Sequence, residues 1–160
     1  MSRLPSLGAH GEGWVTGQVL LMAAVGVAGV GENAPGITGQ TLLAFQVIGA
    51  SLTVLGVVIA AVAVRDLGNS LTPLPEPKLD AHMVETGIYS RVRHPIYDGV
   101  IVAALGWALF SVSLLSLIFT VVLAVFFDLK ARREEAWLRE RYPLYSHYAR
   151  RVKKFVPGIY

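Results

Sequence analysis

Apolar and polar stretches alternate along this chain in long blocks. The first two apolar blocks contain no charged side chain, and a third apolar region, residues 96–127, has a polar interruption at residues 111–116. A helix needs about 20 mostly apolar residues to cross the hydrocarbon core of a membrane. The pattern therefore predicts an all-α integral membrane protein with about four membrane helices, the last two forming a short helical hairpin: residues 14–30, 41–64, 96–110 and 113–127.

Small side chains recur along one face of the second predicted helix. Gly49, Thr53, Gly56 and Ala60 follow one another at three-residue and four-residue intervals. This spacing places them above one another on a helix, where small residues let a neighbouring helix approach closely. The pattern predicts tight packing of this helix against another one.

The polar connections predict how the chain lies across the membrane. Residues 65–95 combine four prolines with charges of both signs, a composition that cannot remain in lipid. Basic residues concentrate in this loop and in the tail, residues 128–160, whereas the connector at residues 31–40 has no Lys or Arg. By the positive-inside rule, both termini and the long loop are expected in the cytoplasm. We expect one membrane domain over residues 1–160, and no removable signal peptide at its start.

Composition supports a membrane protein and excludes several other classes. Hydrophobic residues make up 54% of the chain and charged residues 16%, with a formal net charge of +3. The basic tail suits an anionic membrane face, and no nucleic-acid-binding motif accompanies it. Cysteine is absent, and the chain has no phosphate-binding glycine loop, zinc-binding helix or serine nucleophile turn. A transporter is disfavoured, since the first two predicted helices contain no ionisable residue.

Two clusters of polar residues flank the predicted hairpin. The first contains side chains that can bind a carboxylate or face a cation: Gly87, Tyr89, Arg91, Arg93, His94, Pro95 and Tyr97. The second follows the hairpin: Lys130, Arg133, Glu134 and Glu135. We expect both clusters at the same membrane interface, where they would border one cavity. The alternatives are an interfacial anchor for the first cluster, a solvated helix face for the second, and a surface position for His82.

An ordered set of motifs resembles the isoprenylcysteine carboxyl methyltransferase family and the related membrane phospholipid methyltransferases. The resemblance covers about residues 65–157 and rests on the following residues: Met83-Val84, Gly87-Ile88-Tyr89, Arg93-His94-Pro95-x-Tyr97, Glu134-Glu135-x-x-Leu138, Tyr145-x-x-Tyr148 and Val156-Pro157. The Arg-His-Pro-x-Tyr core together with the downstream Glu-Glu-x-x-Leu is more specific than either part alone.

The resemblance implies a membrane methyltransferase that uses S-adenosylmethionine in a cytoplasmic pocket, with no metal ion. Carried over by position, cofactor contacts fall on Ala81, His82, Met83, Val84, Tyr89, His94, Pro95, Ile96, Tyr97 and Glu134. The family usually has its loop histidine at the position of Ala81, one residue before His82. Lys130 stands where the family places a basic residue near the substrate, usually an arginine, which has a planar fork that lysine lacks. We assign catalytic roles to Arg93 and Glu135.

The expected reaction is methyl transfer to a lipid or isoprenoid-linked acceptor held by the membrane. The first choice of acceptor is an isoprenylcysteine-like carboxylate, which needs no general base. The alternative acceptor is the amine of a phospholipid head group, which must first lose a proton, a step that Glu135 could assist. Two alternatives that are not enzymes remain: a non-catalytic membrane scaffold and a small transporter.

Overall fold

Five α-helices form the framework of the described part of the protein. The computed structural model describes residues 7–31, 36–74, 76 and 82–160. The helices are α1 (Glu12–Gly31), α2 (Gly39–Leu67), α3 (Pro95–Phe110), α4 (Leu114–Arg141) and α5 (Tyr145–Arg151). Two short 3₁₀ helices, Gly68–Ser70 and Gly87–Ser90, lie in the long connection between α2 and α3. Within the described ranges there is no β-strand, so the all-α prediction is confirmed.

Three of these helices are long and apolar enough to cross a membrane. They are α1, α2 with the 3₁₀ turn that follows it, and α4, while α3 is a shorter apolar helix of 16 residues. Each predicted membrane segment coincides with one helix. The fourth helix continues well past its predicted end at residue 127, and its last part carries the charged residues of the second cluster. It ends at Arg141, two residues before Pro143, since proline cannot continue a helix.

The closest helix packing joins α2 to α3 in antiparallel orientation. A Cβ atom added to Gly56 would collide with the backbone of Gly99 and Ala103, and one added to Gly49 would collide with that of Gly106 and Phe110. The two backbones can approach this closely only because glycine has no side chain there. The small face predicted for the second helix is therefore the surface that α3 covers.

Serine hydroxyls attach the start of α4 to the end of α1. Ser113 Oγ donates to the carbonyl of Ala28 at 2.9 Å, and the fully buried Ser116 Oγ donates to that of Val25 at 3.0 Å. Ser113 also caps α4, since its side chain accepts a hydrogen bond from the Ser116 backbone N–H. Side-chain hydrogen bonds of this kind hold helices together where no water is available.

The chain after α5 returns to the segment that precedes α3. Val92 and Lys153 form an isolated parallel bridge, and the backbone N–H of Arg93 donates to the Lys153 carbonyl at 2.9 Å. Lys154 is buried and forms an ion pair with Asp128 of α4, with 2.8 Å between Nζ and Oδ1. These contacts hold the first polar cluster against the end of α4.

Candidate functional site

A cavity of about 360 Å³ opens where α2 ends and α3 begins. Ten of the residues predicted from the sequence line it: His82, Met83, Val84, Tyr89, Arg93, His94, Ile96, Tyr97, Lys130 and Glu134. They come from the long connection, from the start of α3 and from α4. The two polar clusters, separated by the hairpin in the sequence, therefore border one cavity as expected.

His94, Tyr97 and Glu134 form the polar centre of this cavity. The Tyr97 hydroxyl donates a hydrogen bond to Glu134, and His94 Nδ1 lies 3.5 Å from the other oxygen of the same carboxylate. The rings of His94 and Tyr97 are stacked, with 5.5 Å between their centroids. Burial alone would lower the pKa of His94, but hydrogen bonds and negative charge from Glu134 and Glu135 raise it overall.

Behind the cavity wall, Glu135 is the centre of a buried ion-pair network. Its Oε1 accepts from Arg93 Nε at 2.8 Å and lies 3.2 Å from His94 Nε2, and its Oε2 accepts from Arg139 at 2.8 Å. Arg93 also donates to the backbone carbonyls of Ala149 and Val152. The network thus ties the start of α3, the end of α4 and the chain around α5 into one unit.

Two tyrosines connect α5 to the 3₁₀ helix before α3. The Tyr148 hydroxyl donates to the backbone carbonyl of Tyr89 at 2.7 Å, and both side chains line the cavity. Burial raises the pKa of both hydroxyls, so they remain protonated donors at neutral pH.

Lys130 is a buried cation in the cavity wall. Only 1% of this residue is exposed. Its ammonium donates to Gln18 Oε1 at 2.6 Å and to the Pro73 carbonyl at 3.1 Å, and lies 5.3 Å from the centre of the Tyr97 ring. Within the described ranges, no carboxylate oxygen lies within 4.0 Å of this nitrogen. Both hydrogen-bond partners of the ammonium are therefore neutral, and Glu134 acts on it only through charge at a longer distance.

The described residues of the connection between α2 and α3 cover one side of the cavity. Ser70 accepts a hydrogen bond from the His82 backbone N–H at 3.2 Å, and its hydroxyl donates to the His82 carbonyl at 3.1 Å. These two hydrogen bonds hold Ser70 and His82 together. Leu71, Thr72, Pro73 and Leu74 lie between them in the chain and contribute to the lining.

A second, apolar groove of about 550 Å³ lies between the helices. Every residue that lines it is apolar, aromatic or glycine. The lining comes from α1, α2 and α3, with Leu123 of α4, and includes Val64 and Trp107. Val64 also lines the polar cavity, so the groove and the cavity meet there. At the far end the Trp107 indole N–H donates to the Gly26 carbonyl at 3.2 Å.

Some predicted site residues lie away from the cavity surface. Pro95 and Glu135 are buried behind it and do not line it, while Ala81 lies outside the described residues. Several lining residues were given no role from the sequence: Gln18, Ser70, the 71–74 segment, Tyr142, Tyr145 and Tyr148. The two tyrosines of the Tyr-x-x-Tyr motif carried a signal in their spacing, whereas Gln18, a neutral residue within an apolar helix, carried none.

The cavity has an unused polar group that fits a bound cofactor. The Tyr145 hydroxyl is buried, and within the described part of the chain it has no hydrogen-bond partner, although Tyr145 lines the cavity. A buried hydroxyl without a partner is costly. A ligand with hydroxyl, amino and carboxylate groups, such as S-adenosylmethionine, would supply one, and the aromatic rings and Glu134 suit its cationic sulfonium.

Comparison with known proteins identifies relatives of the chain. The profile of the family described as phospholipid methyltransferase matches residues 44–144. The protein-S-isoprenylcysteine O-methyltransferase of Saccharomyces cerevisiae is 35% identical over 117 residues, which are 71% of this chain and 49% of that protein. Protein-S-isoprenylcysteine O-methyltransferase B of Arabidopsis thaliana is 31% identical over 115 residues, which are 69% of this chain and 58% of that protein. The chain spans about half the length of these relatives.

Fold and site together define an integral membrane protein with a polar cavity at one end of an apolar helix bundle. Within that class, the match covers α3, α4 and most of α2, and with them all ten cavity residues predicted from the sequence. The chain belongs to the phospholipid methyltransferase family.

Proposed function

We propose that this protein transfers a methyl group from S-adenosylmethionine to the carboxylate of an isoprenylcysteine-like acceptor at the cytoplasmic face of the membrane. The observation that carries the proposal is the buried ammonium of Lys130, which has only neutral partners among the described residues. A buried charge is costly unless an opposite charge accompanies it. An acceptor carboxylate in the cavity supplies that charge, whereas a protonated amine would be repelled.

The state of the buried acids and bases also supports a carboxylate acceptor. Both ring nitrogens of His94 lie within 3.5 Å of a glutamate, and both oxygens of Glu135 already accept from arginine. Neither group is free to remove a proton from an amine. A carboxylate is already deprotonated at neutral pH and needs no such step.

The apolar groove supports an acceptor with a long hydrocarbon chain. Since the groove meets the cavity at Val64, a chain lying in the groove would place its polar end near Lys130. Burial of apolar surface contributes about 25 cal/mol per Å². We assign the groove to the isoprenoid chain and Lys130 to the carboxylate.

The cofactor is assigned to the part of the cavity around His94, Tyr97 and Glu134. When bound there, S-adenosylmethionine supplies a methyl group activated by a positively charged sulfonium. Glu134 and the Tyr97 ring would hold this cation, and the Tyr145 hydroxyl would gain a partner. Residues 71–74, which line the cavity, would limit the access of water, and this favours a reaction that neutralises opposite charges.

Four helices crossing the membrane, with the cavity and both termini in the cytoplasm, complete the proposal. The starts of α1 and α3 and the ends of α2 and α4 lie on the side of the cavity. The connections on this side carry most of the basic residues, which agrees with a cytoplasmic position. Arg93 and Glu135 are proposed to hold the cavity wall in place and to act on the reaction through it.

Transfer of a radiolabelled methyl group tests the proposal and separates it from its alternatives. Purified protein in lipid vesicles is given labelled cofactor with either a farnesylcysteine acceptor or phosphatidylethanolamine. The proposal expects label in a product that base hydrolyses, as a methyl ester. Base-stable label in the phospholipid would favour N-methylation of head groups. Failure of well-folded protein to bind S-adenosylhomocysteine would favour a non-catalytic scaffold.

A further inference from the structure

Gln18 is the side chain closest to the Lys130 ammonium, and it comes from a part of the chain that the family match does not include. The two residues are joined by a 2.6 Å hydrogen bond across the cavity wall, from α4 to α1. The match begins at residue 44, so no role for Gln18 follows from it. Gln18 also lines the cavity itself.

Gln18 binds the Lys130 ammonium but carries no charge that would neutralise it. A lysine ammonium has three N–H donors, and the Gln18 amide oxygen and the Pro73 carbonyl accept two of them. Both acceptors are neutral, so they fix the position of the ammonium without cancelling its charge. A glutamate at position 18 would have nearly the same shape but would form an ion pair with Lys130.

The nearest acidic side chain of the cavity does not replace this missing charge. Glu134 is engaged by the Tyr97 hydroxyl and by His94. The third N–H donor of Lys130 therefore remains for a ligand in the cavity, and Glu134 acts on the ammonium only from beyond ion-pair distance.

We infer that Gln18 is a positioning residue for the methyl acceptor, because it holds the buried Lys130 ammonium in place without forming an ion pair with it, which leaves the ammonium to pair with the acceptor carboxylate. This inference rests on the proposed function, in which Lys130 binds that carboxylate. It makes α1 part of the acceptor site and explains why a neutral amide stands next to a buried cation.

The test compares a charged acceptor with its neutral ester. Dissociation constants for an N-acetylated farnesylcysteine and for its methyl ester are measured with wild-type protein, with Gln18→Glu and with Gln40→Glu. Gln40 is exposed near the start of α2, at the end of the bundle away from the cavity, so this control adds the same charge elsewhere. Binding of S-adenosylhomocysteine reports that each variant is folded.

We expect the wild-type protein and Gln40→Glu to prefer the carboxylate over the ester by at least about tenfold, as for other charged hydrogen bonds. In Gln18→Glu the preference should fall to about one, while S-adenosylhomocysteine still binds as in wild type. A purely structural role would weaken both ligands equally and leave the ratio unchanged. If Gln18→Glu keeps the wild-type preference for the carboxylate, the inference is overturned but the proposed function is not. If the wild-type protein itself shows no preference for the carboxylate, both the inference and the proposed function are overturned.

If Gln18→Glu does not fold, Gln18→Met decides the question. Methionine keeps the length of the side chain, removes the acceptor oxygen and adds no charge. We expect weaker binding of the carboxylate, with unchanged binding of the ester and of S-adenosylhomocysteine. Unchanged carboxylate affinity in Gln18→Met would overturn the inference.

Discussion

Adjacent glutamates have different surroundings in this protein. Glu134 lines the cavity, where it pairs with Tyr97 and His94, whereas Glu135 points away and accepts hydrogen bonds from two arginines. The motif that joins them predicted that both belong to the site. It did not predict which one faces the ligand, because neighbouring residues of a helix point in directions that only its packing determines.

Replacement of the two glutamates by glutamine should separate these roles. In Glu135→Gln, Arg93 and Arg139 lose their anionic partner, and breaking a buried ion pair costs about 3–5 kcal/mol. We expect a clear fall in the midpoint of thermal unfolding in detergent. In Glu134→Gln the midpoint should change little, while S-adenosylhomocysteine binds more weakly. A Glu135→Gln protein that is as stable as wild type but inactive would instead support direct participation of Glu135 in the reaction.

At the scale of the helices, the sequence predicted more of the fold than of the site. Uncharged blocks and small residues at helical spacing are local signals, and both agreed with the structure at α2. No local sequence pattern predicted the bridge between Val92 and Lys153 or the hydrogen bond between Gln18 and Lys130. Each joins residues far apart in the chain, so it depends on how whole helices pack and has no periodic pattern.

The contact between α2 and α3 predicts opposite effects of the same change at two glycines. Gly56→Ala places a methyl group against the backbone of α3, and overpacking of this kind costs about 1–3 kcal/mol. Gly26→Ala is the matched control, since no atom lies within 4 Å of the added carbon, and alanine favours a helix by about 1 kcal/mol. Thermal unfolding in detergent should show a lower midpoint for the first variant only. Equal midpoints would show that α2 and α3 pack less closely.

Trp107 at the end of the apolar groove should limit the length of the acceptor chain. Its indole is fixed to α1 through the Gly26 carbonyl. In Trp107→Ala the groove becomes longer, so kcat/KM for a geranylgeranyl acceptor relative to a farnesyl acceptor should rise by about tenfold, as for other apolar pockets. Trp137→Ala removes a tryptophan that contacts Arg133 outside the groove. The same rise in both variants, or in neither, would contradict this assignment.

For the whole molecule, the arrangement would allow the proposed reaction between a water-soluble cofactor and a lipid. The apolar groove faces helices that span the membrane, and the polar cavity lies where these helices meet the long connection and the tail. The acceptor chain would remain among apolar side chains while only its carboxylate enters the polar cavity. No single helix and no continuous stretch of the sequence forms this site, because all five helices contribute to its wall.

The most direct test of the account is calorimetric titration of S-adenosylhomocysteine into the protein in detergent. The central claim is that the segment around the start of α3 and the polar part of α4 form one cofactor site. Tyr97→Ala, from the first segment, and Glu134→Ala, from the second, should each weaken binding by at least about tenfold, the loss expected for one charged hydrogen bond. Lys130→Ala should bind the ligand as wild type does, because it acts on the acceptor. Wild-type affinity in either of the first two variants, or an equal loss in all three, would contradict the account.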